Sequence, residues 1–215
     1  MTTKLLHIAG PETTGGAYYA FQACKASLVS AEGVHQSSTI SCTPTRFQQA
    51  YRGIGGYCDL RAVRELRNLI RSANPEAVHL HNFKCFGTAA IKACVLERVP
   101  AYWHCYDYWS FCPRDVLWSP ERICDGHCVR CYQPKDRTLP LVAKMFLLGR
   151  QHRILRYLNH LSGVVALSQH SAGLLYGAGV RVPIKVERLQ IQIPKIEVAR
   201  IPNRVLFVGW MSPNK

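Results

Sequence analysis

PAYWHCYDYWSFCPRDVLWSPERICDGHCVRC, residues 100–131, decides how the rest of the chain is read. With Val99 before it, the stretch opens as a buried strand (Ala101, Tyr102, Trp103) and then loses all periodicity. From His104 onward it holds two histidines, three aspartates, five aromatics and five cysteines. An irregular segment of that length in a compact domain is usually functional or disordered. Tyr106, Tyr108, Trp109, Phe111 and Trp118 are residues that disordered segments lack. The stretch therefore reads as an ordered functional loop at the carboxyl end of a strand, where open α/β sheets keep their sites.

The chain around it has 215 residues, enough for one large domain or a domain plus a fragment. With 48% apolar and 19% charged residues, the composition is that of a soluble globular protein. No run approaches the ~20 apolar residues of a membrane-spanning helix. Met1 to Ala9 does not read as a secretory signal, because its apolar run is short and meets Gly10-Pro11. The ten cysteines are then expected to be thiols or metal ligands, with the cytoplasm as the expected compartment. A net charge of +14, from 27 Lys and Arg against 13 Asp and Glu, favours a polyanionic partner. Nucleic acid, an anionic membrane face and phosphorylated ligands all satisfy it, as does a merely basic surface.

Upstream of the central stretch, Lys4 to Ala9 reads as a short buried strand, followed by a glycine-bearing turn ending in Gly15-Gly16. A helix comes next, with Ala17, Phe21, Cys24 and Leu28 on one face. Strand, glycine-rich turn and helix together present backbone N–H groups to an anion, although a plain turn before a helix looks the same. Val34 to Cys42 is a second strand, and residues 43–57 read as a polar, glycine-rich loop. Asp59 is placed to cap a helix with Leu60, Val63, Leu66 and Ile70 inward, stopped by Asn74-Pro75. Arg61, Arg64, Arg67 and Arg71 form its solvated face. Ala77 to Leu80 is a third strand, running into His81-Asn82. His79 and His81 share a face by the strand period of two, a spacing that suits a metal, a substrate hydroxyl or a structural pair. A short helix with Ala89, Ala93 and Leu96 inward then leads back to the central strand.

Downstream, Leu139 to Leu158 reads as a helix that Gly149 can split. Its basic residues Lys144, Arg150, Arg153 and Arg156 suit contact with an anionic membrane, while its apolar face suits packing on the sheet. Gly163 to Leu167 is a strand, Ser168 begins a helix ending near Gly177, and Ile184 to Leu189 and Val205 to Val208 are strands. Strands alternating with helices predict an α/β fold, a Rossmann-like doubly wound parallel sheet. The proline-containing stretch Gln192 to Asn203 is the expected boundary between a domain over 1–202 and the opening of a second one at 203–215.

Cys124, Cys128 and Cys131 are spaced C-x3-C-x2-C, with Cys112 upstream and His127 between. Thiolates at this density can hold zinc or iron–sulfur; reduced cysteines packed as small hydrophobes are the alternative. A radical iron–sulfur enzyme would need a barrel, which this pattern does not supply. His104 and Tyr106 fall on one face if the strand continues, with Asp107 next to them. A histidine or tyrosine beside a carboxylate at a strand end is suited to acid–base work. Trp103 or Trp109 is expected to wall the same crevice.

Taken in order, these motifs resemble the N-terminal domain of family 4 retaining glycosyltransferases, which have the two-domain GT-B architecture. The residues that carry the resemblance are Gly15-Gly16-Ala17, Ala77 to Asn82, Gly87, Tyr102-Trp103, Asp107 to Arg114, the cysteine trio, and Val165 to Ser168. Val205 to Lys215 resembles the first strand and loop of that family's donor domain. The resemblance implies a chain that holds the acceptor, with the Gly15-Gly16 loop closing over the diphosphate of a nucleotide sugar. It implies His104, Tyr106 and Asp107 as catalytic residues, and Gly15, Gly16, His81, Asn82 and Lys215 as substrate- or phosphate-binding residues. No catalytic metal is implied; Cys112, Cys124, Cys128 and Cys131 are the candidates for a structural zinc. A carbohydrate or lipid-linked acceptor, and peripheral contact with the inner face of a membrane, belong to the same expectation.

The sequence departs from the family pattern in two places. Tyr106 stands where the family usually has a histidine before the aspartate, and Trp210 stands where an arginine usually follows the glycine. The acidic E-x7-E motif of the donor domain does not occur in these 215 residues. A non-catalytic accessory subunit is therefore the second reading. A zinc-containing nucleic-acid-binding module fits poorly, because the basic residues are spread over several helices.

Overall fold

The computed structural model describes residues 3–10, 16–30, 34–40, 43, 45–113, 117–119, 122–123, 145, 147–189 and 204–205. Among them, strands β1 (Thr3–Ala9), β2 (Val34–Ile40), β3 (Ala77–His81), β4 (Ala101–Cys105), β7 (Gly163–Ala166) and β8 (Ile184–Val186) form one parallel sheet. Its order is β2-β1-β3-β4-β7-β8. A two-residue antiparallel pair, β5 (Trp118–Ser119) and β6 (Arg122–Ile123), lies apart in the loop after β4. The helices are α1 (Gly16–Ser30), α2 (Arg46–Gln48), α3 (Leu60–Ala73), α4 (Thr88–Glu97), α5 (Arg150–Leu158) and α6 (Gln169–Gly177). This is the α/β, doubly wound parallel sheet that the alternating pattern predicts.

The two faces of the sheet differ in chemistry. Leu6, Ile8, Val78, Leu80, Trp103 and Val164 point to one face and share a single apolar core with α3, α4, α5 and α6. The opposite face carries His7, His79, His81, Tyr102 and His104, and α1 covers it through Phe21 and Cys24. Right-handed crossovers account for this split: the chain steps one way from β1 to β2 and the other way from β3 onward. α1 is thereby left on its own side among the described helices.

The Asp59 cap forms as predicted. One carboxylate oxygen accepts the N–H groups of Arg61 (2.9 Å) and Ala62 (3.3 Å), and Asn74 ends α3 in the left-handed region. The other oxygen receives Arg52 through Nε at 2.8 Å and Nη2 at 2.6 Å. Burial alone would raise the Asp59 pKa, but the Arg52 and α3 hydrogen bonds outweigh it and hold the carboxyl below its ordinary value.

Several sequence expectations need correction. The segment read as a loop over 43–57 is partly helical: α2 runs into a π-helical turn over Gln49–Ile54, with Arg52 buried inside. Leu60 and Leu96, expected inward, are 67% and 46% exposed. Leu60 is the first residue of α3, and Ala62 takes the inward position instead. On the solvated face of α3, Arg67 and Arg71 both bind Glu97 (2.5 and 2.8 Å) and tie α3 to α4. Trp103 and Trp109 wall no crevice: each is buried in the core, packed edge-on against Phe83. Gly149 splits the long helix expected over 139–158, and α5 starts directly after it. β8 ends at Val186, and residues 206–208 of the predicted last strand lie outside the described residues.

Arg150 does not face a membrane. It is 1% exposed and donates to the carbonyls of Ile54 (2.6 Å), Gly53 (3.3 Å), Ser110 (3.3 Å) and Trp109. Trp109 lies under its guanidinium and donates its own indole N–H to Gly53 at 2.7 Å. Arg153 lies over the Tyr57 ring at 4.1 Å and bonds Gly55. Arg150 holds the π-helical turn and the loop after β4 against α5, and Arg153 pins the residues that follow the turn. Removing a buried donor strands its carbonyl partners without hydrogen bonds, at about 1–3 kcal/mol each. Arg150→Met is therefore expected to lower the unfolding free energy by at least about 3 kcal/mol, and Arg61→Met, from an exposed pair, by less than about 1. Urea denaturation of the two variants checks the contrast; equal losses would contradict the clamp.

Candidate functional site

Strand order reverses direction between β1 and β3, and in open parallel sheets the crevice outside the carboxyl ends at that point is the usual ligand site. Two backbone features mark it. Asn82, directly after β3, adopts the left-handed conformation (φ 42°, ψ 51°). A Cβ placed on Gly10, directly after β1, would lie 2.7 Å from the Asn82 carbonyl oxygen. Any side chain at position 10 would clash with backbone, so the two strand exits touch only because residue 10 is glycine. Gly16 opens α1, and a Cβ there would meet nothing within 4 Å.

Beneath this edge lies a cluster of imidazoles. Ladder pairing sets His7 opposite His79, and His81 opposite His104. His7 Nδ1 and His81 Nε2 are 2.9 Å apart, and His79 Nδ1 and His104 Nε2 are 2.7 Å apart. His81 Nδ1 lies 3.1 Å from Tyr106 Oη, and His104 Nδ1 lies 3.9 Å from Cys24 Sγ. The rings of His81 and His104 stack at 4.4 Å. His7 Nε2 is buried without a hydrogen-bond partner among the described residues.

Burial governs the electrostatics. Desolvation, then repulsion from His79 and Lys25, lowers His7 to about 4. Desolvation, then His79 and His7, lowers His104 to about 3. His81 is held well below its ordinary value by desolvation, then by His104, His7 and His79; His79 is lowered by desolvation. Burial pushes the Cys24 thiol up to about 11, with Glu187 adding to the rise, and it pushes Tyr106 up as well, with Cys24 adding to it. At neutral pH the cluster is therefore uncharged. It offers hydrogen-bond donors and acceptors, and no cation.

Of the residues singled out in the sequence, His81, His104 and Tyr106 come together in this cluster. Asn82 and Asp107 lie at the same carboxyl edge, just beyond β3 and β4. Asp107 accepts the N–H of Trp109 at 2.9 Å and so shapes the turn leaving the sheet. Cys112 is buried and donates its N–H to the Tyr108 carbonyl at 2.8 Å. Gly15, Lys215, Cys124, Cys128 and Cys131 lie outside the described residues. His7 and Cys24 are partners that sequence reading did not assign to the site. Period-two alternation puts His7 on one face of β1, but only the register shows that this is also the face of His79 and His81.

No protein-family model and no curated protein matches the chain. Among solved structures, S. aureus MnaA with UDP resembles it at a TM-score of 0.46 and 11% identity, over 83% of this chain and 41% of that one. Medicago truncatula UGT71G1 with UDP-glucose does so at a TM-score of 0.46 and 12% identity, over 87% and 51%. The chain thus spans about half the length of these proteins or less. At that identity and TM-score the likenesses say nothing of what this chain binds.

The neutral histidines predict how stability depends on pH. Their folded pKa values lie below the unfolded value of about 6.5, so the unfolded chain binds more protons as pH falls. Stability is fully present above about pH 6.5 and is lost below it, by about 1.4 kcal/mol per pH unit for each histidine that stays neutral. Urea midpoints in chelator-containing buffer should hold steady above pH 7 and fall between pH 6 and pH 4, the folded value of His7. A midpoint flat across that window would contradict the neutral cluster.

Proposed function

We propose that the chain is the acceptor-side half of a glycosyltransferase that uses a nucleotide sugar and resembles family 4 retaining enzymes. The observation that carries this reading is the convergence of Gly10, Asn82, Asp107 and the His81–His104–Tyr106 cluster at the carboxyl edge between β1, β3 and β4. Motif order in the sequence supports it independently. Gly16 at the start of α1 supplies backbone N–H groups and the positive end of the helix dipole for a diphosphate. The neutral cluster cannot compensate phosphate charge. That charge is left to α1, to Lys215 and to the donor half. His81, His104 and Tyr106 act by fixing the floor of the crevice through their mutual hydrogen bonds.

Cys112, Cys124, Cys128 and Cys131 hold a structural zinc in this reading. None of the described helices is long and apolar enough to cross a membrane; a cytoplasmic enzyme working at the inner membrane face fits the lipid-linked acceptor. A second reading, a non-catalytic accessory subunit, is favoured by the burial of His81 (1% exposed) and His104 (8%), which keeps both rings away from bulk solvent.

Sugar transfer from a panel of nucleotide sugars, with and without the donor domain supplied in trans or fused, tests the proposal. The chain alone should give no turnover, because donor and acceptor must be held together to gain proximity. The complemented enzyme should turn over, and Asp107→Asn, which keeps an oxygen for the Trp109 N–H, should slow it by about 10²-fold or more. Turnover by the chain alone at about 1 s⁻¹ or faster would overturn the half-enzyme reading. A complemented enzyme indifferent to Asp107→Asn would remove Asp107 from catalysis, and no transfer in any combination would favour the accessory subunit.

A further inference from the structure

The imidazole cluster is built in a way that sugar binding does not require. His104 gives its Nε2 to His79 and His81 gives its Nε2 to His7, at 2.7 and 2.9 Å. Each of the two therefore has a histidine behind it, and its Nδ1 remains. His104 Nδ1 lies 3.9 Å from the Cys24 sulfur, and His81 Nδ1 lies 3.1 Å from the Tyr106 hydroxyl. One ligand atom from each of Cys24, His81 and His104 falls within 4.8 Å of the others.

That donor set and spacing are those of a transition-metal site. Tetrahedral zinc, with Zn–S about 2.3 Å and Zn–N about 2.0–2.1 Å, sets its ligand atoms roughly 3.3–3.6 Å apart. The 3.9 Å between His104 Nδ1 and Cys24 Sγ lies within a few tenths of an ångström of this. A contraction of up to about 1.2–1.5 Å closes the widest separation the cluster spans. Metal-bound histidines almost always donate their other ring N–H to a second group that fixes ring and tautomer; His79 and His7 stand in that position. Sulfur and imidazole exclude the hard cations, which take oxygen ligands.

Placement gives an independent argument. On the opposite face the same strands carry Leu6, Ile8, Val78 and Leu80, the residues a sheet needs in order to pack. Four imidazoles on the α1 side forgo that packing and must be desolvated. Such local breaks with the hydrophobic pattern concentrate at functional sites.

We propose that Cys24, His81 and His104 bind zinc(II), fastening α1 to the carboxyl ends of β3 and β4, with Tyr106 Oη or a water as the fourth ligand. On binding, the Cys24 S–H bond breaks and a Zn–S bond forms, the proton passing to solvent; the imidazoles bind in their neutral form. The site is separate from the cysteines of the loop after β4, and it does not depend on the transferase reading.

Residue-resolved alkylation tests it on the unaltered chain. The 215-residue protein, freed of metal with a chelator, is treated with iodoacetamide with and without added zinc, and labelling is read cysteine by cysteine by mass spectrometry. Zinc should slow the labelling of Cys24 at least tenfold; an unchanged Cys24 rate overturns the site, whatever the other cysteines do. Cobalt(II) gives a second readout. The absorbance of the wild type minus that of Cys24→Ser should show thiolate-to-cobalt charge transfer with the visible bands of a tetrahedral ion, and His104→Gln should weaken cobalt binding tenfold or more. Identical cobalt spectra for wild type and Cys24→Ser would contradict the assignment.

Discussion

Parallel pairing sets His7 opposite His79 and His81 opposite His104, and a slip of one residue in β3 would turn two of these imidazoles into the apolar core. The register is therefore fixed from both sides. Leu6, Ile8, Val78, Leu80 and Trp103 must meet α3 and α4 on one face, and the imidazoles must find one another on the other. Neutral imidazoles suit this arrangement, since each carries one donor and one acceptor and can pass a hydrogen bond from strand to strand. Charged imidazoles would repel at centroid separations of 4.4–5.5 Å.

Around this sheet the loops are held by cations turned inward. Arg52 joins the π-helical turn to the Asp59 cap of α3 and reaches the Cys85 carbonyl at 3.3 Å. Arg150 joins the same turn to Trp109 and Ser110, directly after the strand end that carries His104, Tyr106 and Asp107. The carboxyl edge is thus supported from below by a guanidinium that bonds backbone carbonyls from two separate loops. Position 10 adds a steric constraint, since only glycine lets β1 leave the sheet against the Asn82 carbonyl.

Much of this architecture is legible in the sequence, because its signals are local. Strand periodicity marks β1, β3 and β4, the Asp59 cap and Asn74-Pro75 bracket α3, and Ser168 caps α6, accepting the Ser171 N–H. Alternation alone pairs His79 with His81 and His104 with Tyr106; that the two pairs share one side of the sheet is set by the register. Features set by distant contacts could not be read in this way. Arg52 and Arg150 look like surface cations until the carbonyls and carboxylate that receive them, 7 to 97 residues away, are in place. Gly53, Gly55 and Gly56 suggest a loop by composition, yet tertiary packing closes that stretch into a helical turn. Cys24 reads as one apolar position on α1, and only docking on β4 brings its sulfur to His104.

The central claim is that the face of the sheet beneath the β1–β3 crevice is a neutral, mutually hydrogen-bonded imidazole network. Long-range nitrogen–proton NMR of the histidine rings tests it most directly, in chelator-containing buffer, followed from pH 8 to pH 4. The account predicts fixed neutral tautomers for His7, His79, His81 and His104 at pH 7, with His7 titrating only near 4 and His104 only near 3 or on unfolding. Cluster histidines that average between tautomers at pH 7, or that titrate near the ordinary value of about 6.5, would contradict it.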